Sequence, residues 1–169
     1  MSRTMRKGLL VAVLHVAIVA SLGAKLLVDR ATRPRVWARA APIDPNLPIR
    51  GRYVSLRLEA ALGQGVSRDV SQPVRIGLSA RNGQLVAEPE SSLRGLDARV
   101  VERRDGTGER VAVLDQPLAY FIPEHVADPS RRPSGEELWV EVTIPRKGAP
   151  RPIRLGVRKD GVLTPLEVN

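Results

Sequence analysis

The residues of this chain that could act in acid–base or metal chemistry are few and widely separated. The chain has two histidines and no cysteine, which excludes disulfides, thiolate metal sites and cysteine nucleophiles. His125 lies in a polar loop without a G-x-S-x-G elbow, so a serine hydrolase triad has no sequence support. The glycine-rich pieces 63–65 and 106–108 lack the lysine and helix of a phosphate-binding loop. We therefore expect no catalytic residues, no metal site and no cofactor.

The charge distribution argues against nucleic acid as a partner. The chain has a formal net charge of +9, but residues 1–40 hold eight basic residues and one acidic residue. The rest of the chain is nearly neutral, which makes a poor electrostatic footprint for DNA or RNA. Aromatic residues make up only 3% of the chain, too few for base-stacking platforms. The excess positive charge instead flanks an apolar segment, where basic residues contact lipid headgroups and influence topology.

That apolar segment, residues 8–28, predicts a single transmembrane helix in contact with the lipid bilayer, after a basic tail at 1–7. Its length matches the roughly 20 residues that a helix needs to cross a bilayer. Lys25 is close enough to the end to reach the interface, and His15 near the middle is expected to stay neutral. Two alternatives stay open: a signal peptide cleaved after Gly23, and a buried core helix.

Beyond the segment, the sequence predicts an Arg- and Pro-rich tether at 29–50 and one β-rich soluble domain at 51–169. Apolar residues in the domain recur with a period of two, and short runs are separated by turn residues. The predicted fold class is mainly β: an N-terminal transmembrane helix followed by a single antiparallel β-sandwich or barrel-like domain. The stretches 64–72 and 123–135 are expected to be loops, the second with one possible helical turn.

Turn chemistry predicts the register of three hairpins. Asn82-Gly83 and Asp160-Gly161 are typical of two-residue turns with positive φ. A longer loop is expected at 105–108. The predicted pairs are Ala80 with Leu85, Leu78 with Ala87, Val100 with Val113, Val157 with Thr164, Leu155 with Leu166, and Ile153 with Val168. A further strand is expected at 138–144, with Trp139 and Glu141 on its polar face.

The stretch 43–58 resembles the signature of the GDYXXLXY family, small bacterial membrane-anchored proteins of unknown function. Gly51, Tyr53 and Leu56 match the signature spacing, whereas Arg52 stands in place of Asp and Leu58 in place of the final Tyr. A second similarity is the Tyr-Phe-x-Pro-Glu stretch at 120–124. Together with the order of the segments, these matches extend the resemblance over nearly the whole chain.

The resemblance implies an anchor in the cytoplasmic membrane, a domain on the periplasmic or extracellular side, and a polytopic membrane protein as partner. The basic residues on both sides of the apolar segment weakly favour the opposite orientation. The motif residues Arg50, Gly51, Tyr53 and Leu56 are either binding residues or a structural start of the first strand. The resemblance supplies no activity.

These observations favour an extracytoplasmic interaction module for a polytopic membrane protein or an envelope component. Two other functions stay open. One is an anchored hydrolase with dispersed catalytic residues, which requires a pocket around His125. The other is a β-barrel that binds a small ligand in an internal cavity.

Overall fold

A computed structural model describes residues 3–43, 53–90, 95–103, 105–145 and 148–167. The chain divides into two compact units, Met1–Arg33 and Pro34–Asn169. The first unit holds one helix, α1, at Arg3–Thr32. The strands of the second unit are β1 Arg35–Ile43, β2 Tyr53–Leu62, β3 Pro73–Arg81, β4 Gln84–Pro89, β5 Leu96–Glu102, β6 Arg110–Leu114, β7 Leu118–Phe121, β8 Glu136–Thr143, β9 Arg151–Lys159 and β10 Val162–Pro165.

Helix α1 has the length and the apolar surface of a membrane-spanning helix. Its segment Lys7–Val28 has a mean hydropathy of 2.2 over 22 residues, and none of that surface is buried within the protein. The ring nitrogen Nδ1 of His15 lies 2.8 Å from the carbonyl oxygen of Val11 one turn earlier. Such a bond satisfies one ring nitrogen within the helix itself. The helix extends beyond the predicted span 8–28 at both ends. It includes residues 3–7, which were expected in the basic tail, and residues 29–32, which were expected in the tether.

Six strands of the second unit close into a barrel in the order β1-β4-β3-β5-β6-β2, so the predicted mainly β fold is confirmed and takes its barrel form. Most neighbouring strands pair antiparallel, but β4 pairs in parallel with β1 and with β2. The remaining strands extend the sheet beyond the barrel. β8, β9 and β10 continue outward from β1, and β7 pairs with β2.

The barrel interior is filled with side chains. Leu56, Leu58, Ile76 and Leu114 are at most 1% exposed. Small residues occupy other inward positions, as the narrow interior of a six-stranded barrel requires. They include Ala60, Ala87, Ala98 and Ala112, each fully buried. The described part of the barrel therefore uses its interior as a packed core.

Two of the three predicted hairpins are confirmed. Leu78 lies opposite Ala87 and Ala80 opposite Leu85, with positive φ at Asn82 and Gly83. Val157 lies opposite Thr164 across the Asp160-Gly161 turn, and the Leu166 amide donates to the Leu155 carbonyl at 2.9 Å. The third predicted pair of that hairpin includes Val168, which lies outside the described residues.

The register predicted for the β5–β6 hairpin is wrong by one residue. Val100 lies opposite Ala112, not Val113. The Arg103 amide donates to the Glu109 carbonyl at 2.8 Å, so Glu109 pairs with Arg103 and not with the residue that follows it. The Asp105 carboxylate accepts bonds from the Thr107 amide and hydroxyl, and this Asx-type turn fixes the loop.

The predicted tether at 29–50 is wrong over Arg35–Ile43, which forms β1. Val36, Ala38 and Ala40 alternate into the core, whereas Arg35, Trp37 and Arg39 point to the other face. The many arginines and prolines of the segment obscured this period of two. The strand has partners on both sides, β8 and β2, so it is a central element of the sheet.

The remaining differences concern the faces and ends of elements. Trp139 and Glu141 lie on the face of β8 opposite to Leu138 and Val140, as expected, but they are only 9% and 8% exposed, because Arg158 and Arg154 lie against them. The predicted loop at 64–72 is confirmed. The connection at 123–135 holds turns, one of them closed by the Val126 amide and the Pro123 carbonyl at 3.2 Å, in place of a helical turn.

Candidate functional site

A cleft of about 440 Å³ lies on the outer face of the sheet formed by β1, β8 and β9. It lies on the side of β1 that carries Trp37 and Arg39. Its lining includes Trp37, Trp139 and ionisable side chains of both signs. The volume falls within the range of ligand-binding sites. The cleft therefore combines aromatic and charged side chains at one concave site.

Both tryptophans of the chain line this cleft. The register of β1 and β8 sets Trp139 opposite Arg39, and the register of β8 and β9 sets it opposite Gly156. A Cβ atom on Gly156 would lie 2.8 Å from Cζ3 of Trp37. The glycine therefore leaves the space that the Trp37 ring occupies.

Each tryptophan ring also has an arginine above it. The guanidinium carbon of Arg158 lies 5.1 Å from the centroid of Trp139, and that of Arg154 lies 5.4 Å from the centroid of Trp37. Both distances are within the range of cation–π contacts. The two arginines differ in their surroundings: Arg154 pairs with Glu141 at 2.8 Å, and only Arg158 lines the cleft.

A charge network of two arginines and four carboxylates forms one wall and rim of the cleft. Its members are Arg39, Arg103, Glu59, Asp105, Glu109 and Glu137. Arg39 lies 2.9 Å from Asp105, 3.3 Å from Glu137 and 3.9 Å from Glu59. Each arginine contacts three carboxylates and its side chain is only about a fifth exposed. Networks of this kind hold their side chains in place more firmly than isolated surface pairs do.

Arg103 joins the network to the β5–β6 hairpin. Its guanidinium lies 3.3 Å from Glu59 on β2 and 3.7 Å from Asp105 in the hairpin loop, and it also contacts Glu109. Glu137 is fixed from a second side, because the indole N–H of Trp139 donates to it at 3.0 Å. Charges and aromatic rings of the cleft are thus connected through shared contacts.

The pKa of Asp105 is lowered from 3.8 to about 2. The largest cause is the Thr107 hydroxyl, which donates to the carboxylate at 2.6 Å. Burial acts in the opposite direction, whereas the Thr107 amide, Arg39 and Arg103 lower the pKa further. Because the folded state favours the charged form, Asp105 stabilises the protein above about pH 4, and this contribution is lost as the pH falls towards 2.

Replacing Asp105 with asparagine is therefore expected to make the loss of stability between pH 4 and 2 smaller than in the wild type. Thr107→Val is expected to raise the pKa of Asp105, because it removes the largest stabilising bond of the carboxylate. Carboxyl NMR titration of the full chain in detergent micelles measures the pKa, and denaturant midpoints measure the stability. An unchanged pKa in Thr107→Val would contradict the assigned cause.

The two described motif residues, Tyr53 and Leu56, do not line the cleft. Leu56 is fully buried in the core. Tyr53 is half-buried and packs on Phe121, with ring centroids 6.1 Å apart. Arg50 and Gly51 lie outside the described residues. A binding role for the motif stays a prediction.

The other residues considered for chemistry do not meet in one place. His125 is exposed in the turn after Pro123 and does not line the cleft. Glu136 and Glu137 are adjacent in the sequence, but Glu137 lines the cleft, whereas Glu136 contacts Lys159 at 3.5 Å. Within the described ranges, no group of three or more His, Cys, Asp and Glu side chains has the arrangement of a metal site.

The residues that form the cleft carried little signal in the sequence. Trp37 was expected in the tether and Trp139 on a polar strand face, and only the pairing of β1 with β8 brings them to one site. The rarity of tryptophan was the one available clue. Membership of the GDYXXLXY family stays a prediction. No protein-family model, no curated protein and no solved structure matches this chain.

Proposed function

We propose that this protein is a membrane-anchored interaction module whose β-barrel domain binds a polytopic membrane protein or an envelope component through the outer cleft. The observation that carries the proposal is the cleft itself, where both tryptophans lie beside a preordered network of arginines and carboxylates. Tryptophan and arginine are the residues that most often dominate binding energy at interfaces. The apolar surface of α1 supports attachment to a membrane.

The resemblance to the GDYXXLXY family supports a location of the domain outside the cytoplasm. A partner in or near the same membrane then meets the domain at high effective concentration, so a modest intrinsic affinity suffices. The packed barrel favours binding on the outer face over binding of a small ligand in an internal cavity.

Photo-crosslinking in intact membranes tests the proposal. Gln84 is exposed and lines the cleft, whereas Val101 is an exposed strand residue elsewhere on the barrel. We expect a photoreactive benzoylphenylalanine at position 84 to give a discrete adduct, and the same group at position 101 to give none. Equal adducts from both positions, or none from position 84, would contradict the proposed use of the cleft.

A further inference from the structure

The chemistry of the cleft also indicates the class of its ligand. We infer that the cleft binds a neutral, hydroxyl-rich saccharide, such as a glycan segment of the cell envelope; this inference rests on the proposed function. The ionisable residues of the lining are Arg39, Arg103, Arg158, Glu59, Glu109, Glu137 and Asp160. Three cations and four anions leave the site close to neutral. A highly charged ligand would need a larger excess of the opposite sign.

Hydroxyl groups suit this mixture of charged groups. A hydroxyl donates one hydrogen bond and accepts others, so neighbouring hydroxyls of a sugar can bond to guanidinium donors and carboxylate acceptors together. In the cleft these two kinds of group alternate over short distances, as with Arg39 and Glu137 at 3.3 Å. Bonds to charged partners are also stronger than bonds between neutral groups.

The site is ordered before a ligand arrives. Arg39 and Arg103 each contact three carboxylates, and Glu137 also accepts the indole N–H of Trp139. A ligand therefore does not have to immobilise these long side chains, which lowers the entropic cost of binding. Arg158 differs, because no ion pair holds it within the described residues and its contact is the ring of Trp139. Its guanidinium is available to donate to a ligand.

The aromatic walls provide the apolar component of recognition. A sugar ring has an apolar face of C–H groups, and an indole offers a flat apolar surface with a polar N–H at its edge. Trp37 lines the cleft and is only partly buried, so its indole can supply this apolar surface, whereas Trp139 is 9% exposed and lies beneath Arg158. A cleft with one flat apolar wall and alternating donors and acceptors matches the two chemical surfaces of a saccharide.

Intrinsic fluorescence provides a direct test, because the chain has two tryptophans and both line the cleft. The full chain in detergent micelles is first screened against a panel of printed oligosaccharides and then titrated with maltotriose, with chitotriose and with the strongest ligand from the panel. We expect a saturable change in tryptophan emission for at least one of these sugars. No binding across the panel and no change in emission would overturn the inference.

Two matched variants locate the binding. Arg158→Gln removes the guanidinium above Trp139 in the cleft, whereas Arg99→Gln removes an exposed arginine of β5 that does not line the cleft. We expect Arg158→Gln to weaken saccharide binding by about tenfold to 150-fold, as the loss of one hydrogen bond to a charged group implies, and Arg99→Gln to leave it unchanged. Equal weakening by both variants would overturn the assignment to the cleft.

A cationic probe separates this inference from the proposed function. If L-arginine methyl ester changes the tryptophan emission and the sugars do not, the cleft recognises a cation and the saccharide inference is wrong. A protein adduct from position 84 without sugar binding would likewise overturn the saccharide inference while leaving the interaction module intact. Loss of both signals would overturn both.

Discussion

Leu56→Ala is expected to destabilise the β domain by about 2–5 kcal/mol, the usual cost of removing a fully buried leucine side chain. Leu56 is 0% exposed. It lies opposite Pro42 of β1 on one side and Leu118 of β7 on the other. A cavity at this position therefore weakens the packing of three strands at once. Denaturant unfolding of the full chain in detergent micelles, followed by tryptophan emission, measures the loss.

Leu56→Met is the matched control, because methionine nearly conserves the volume and is expected to cost less than about 1.5 kcal/mol. The pair of variants also decides the role of this motif position. If Leu56→Ala unfolded at the same denaturant concentration as the wild type yet lost its photo-crosslinks, Leu56 would be a binding residue and its place in the core would be wrong.

Gly156→Ala is expected to cost about 1–3 kcal/mol, the usual penalty for adding a group to a filled space. The new Cβ atom would lie 2.8 Å from Cζ3 and 3.0 Å from Cη2 of Trp37, and 3.1 Å from the carbonyl oxygen of Thr164. A backbone oxygen in a paired strand moves little, so the indole must shift. We expect both the unfolding midpoint and the tryptophan emission to change.

Gly77→Ala is the control for the glycine substitution itself. Gly77 also lies in a strand, but a Cβ atom there would meet its nearest neighbour, Oε2 of Glu90, at an ordinary 3.6 Å. Alanine restricts the unfolded chain more than glycine does, so this variant is expected to be neutral or slightly stabilising. Equal losses in the two variants would show that the Trp37 ring is not packed against Gly156.

Short sequence patterns predicted the hairpins, in which the paired strands are adjacent in the sequence. Alternation of apolar residues and the Asn82-Gly83 and Asp160-Gly161 turns determine two hairpins and their registers. The β5–β6 register failed because the Asp105 carboxylate organises the loop, and glycine spacing alone does not distinguish the two registers.

Closure of the barrel and formation of the cleft depend on contacts between distant parts of the chain. β1 pairs with β8 at positions as far apart as Arg35 and Thr143, and no local pattern encodes that partner. The same pairing places Trp139 opposite Arg39. The sequence therefore predicted the class of the domain, whereas the position of the candidate site required the assembled sheet.

We propose that α1 anchors the β domain outside the cytoplasm, with its cleft open to the surroundings. The chain has no cysteine, so Gln84→Cys would place a single reactive thiol in the cleft, and Ala60→Cys would place one in the buried core. The most direct measurement is labelling of spheroplasts with a membrane-impermeant maleimide. We expect Gln84→Cys to react fully before lysis and Ala60→Cys to react only after denaturation. Labelling of Gln84→Cys only after the membranes are opened would contradict the proposal.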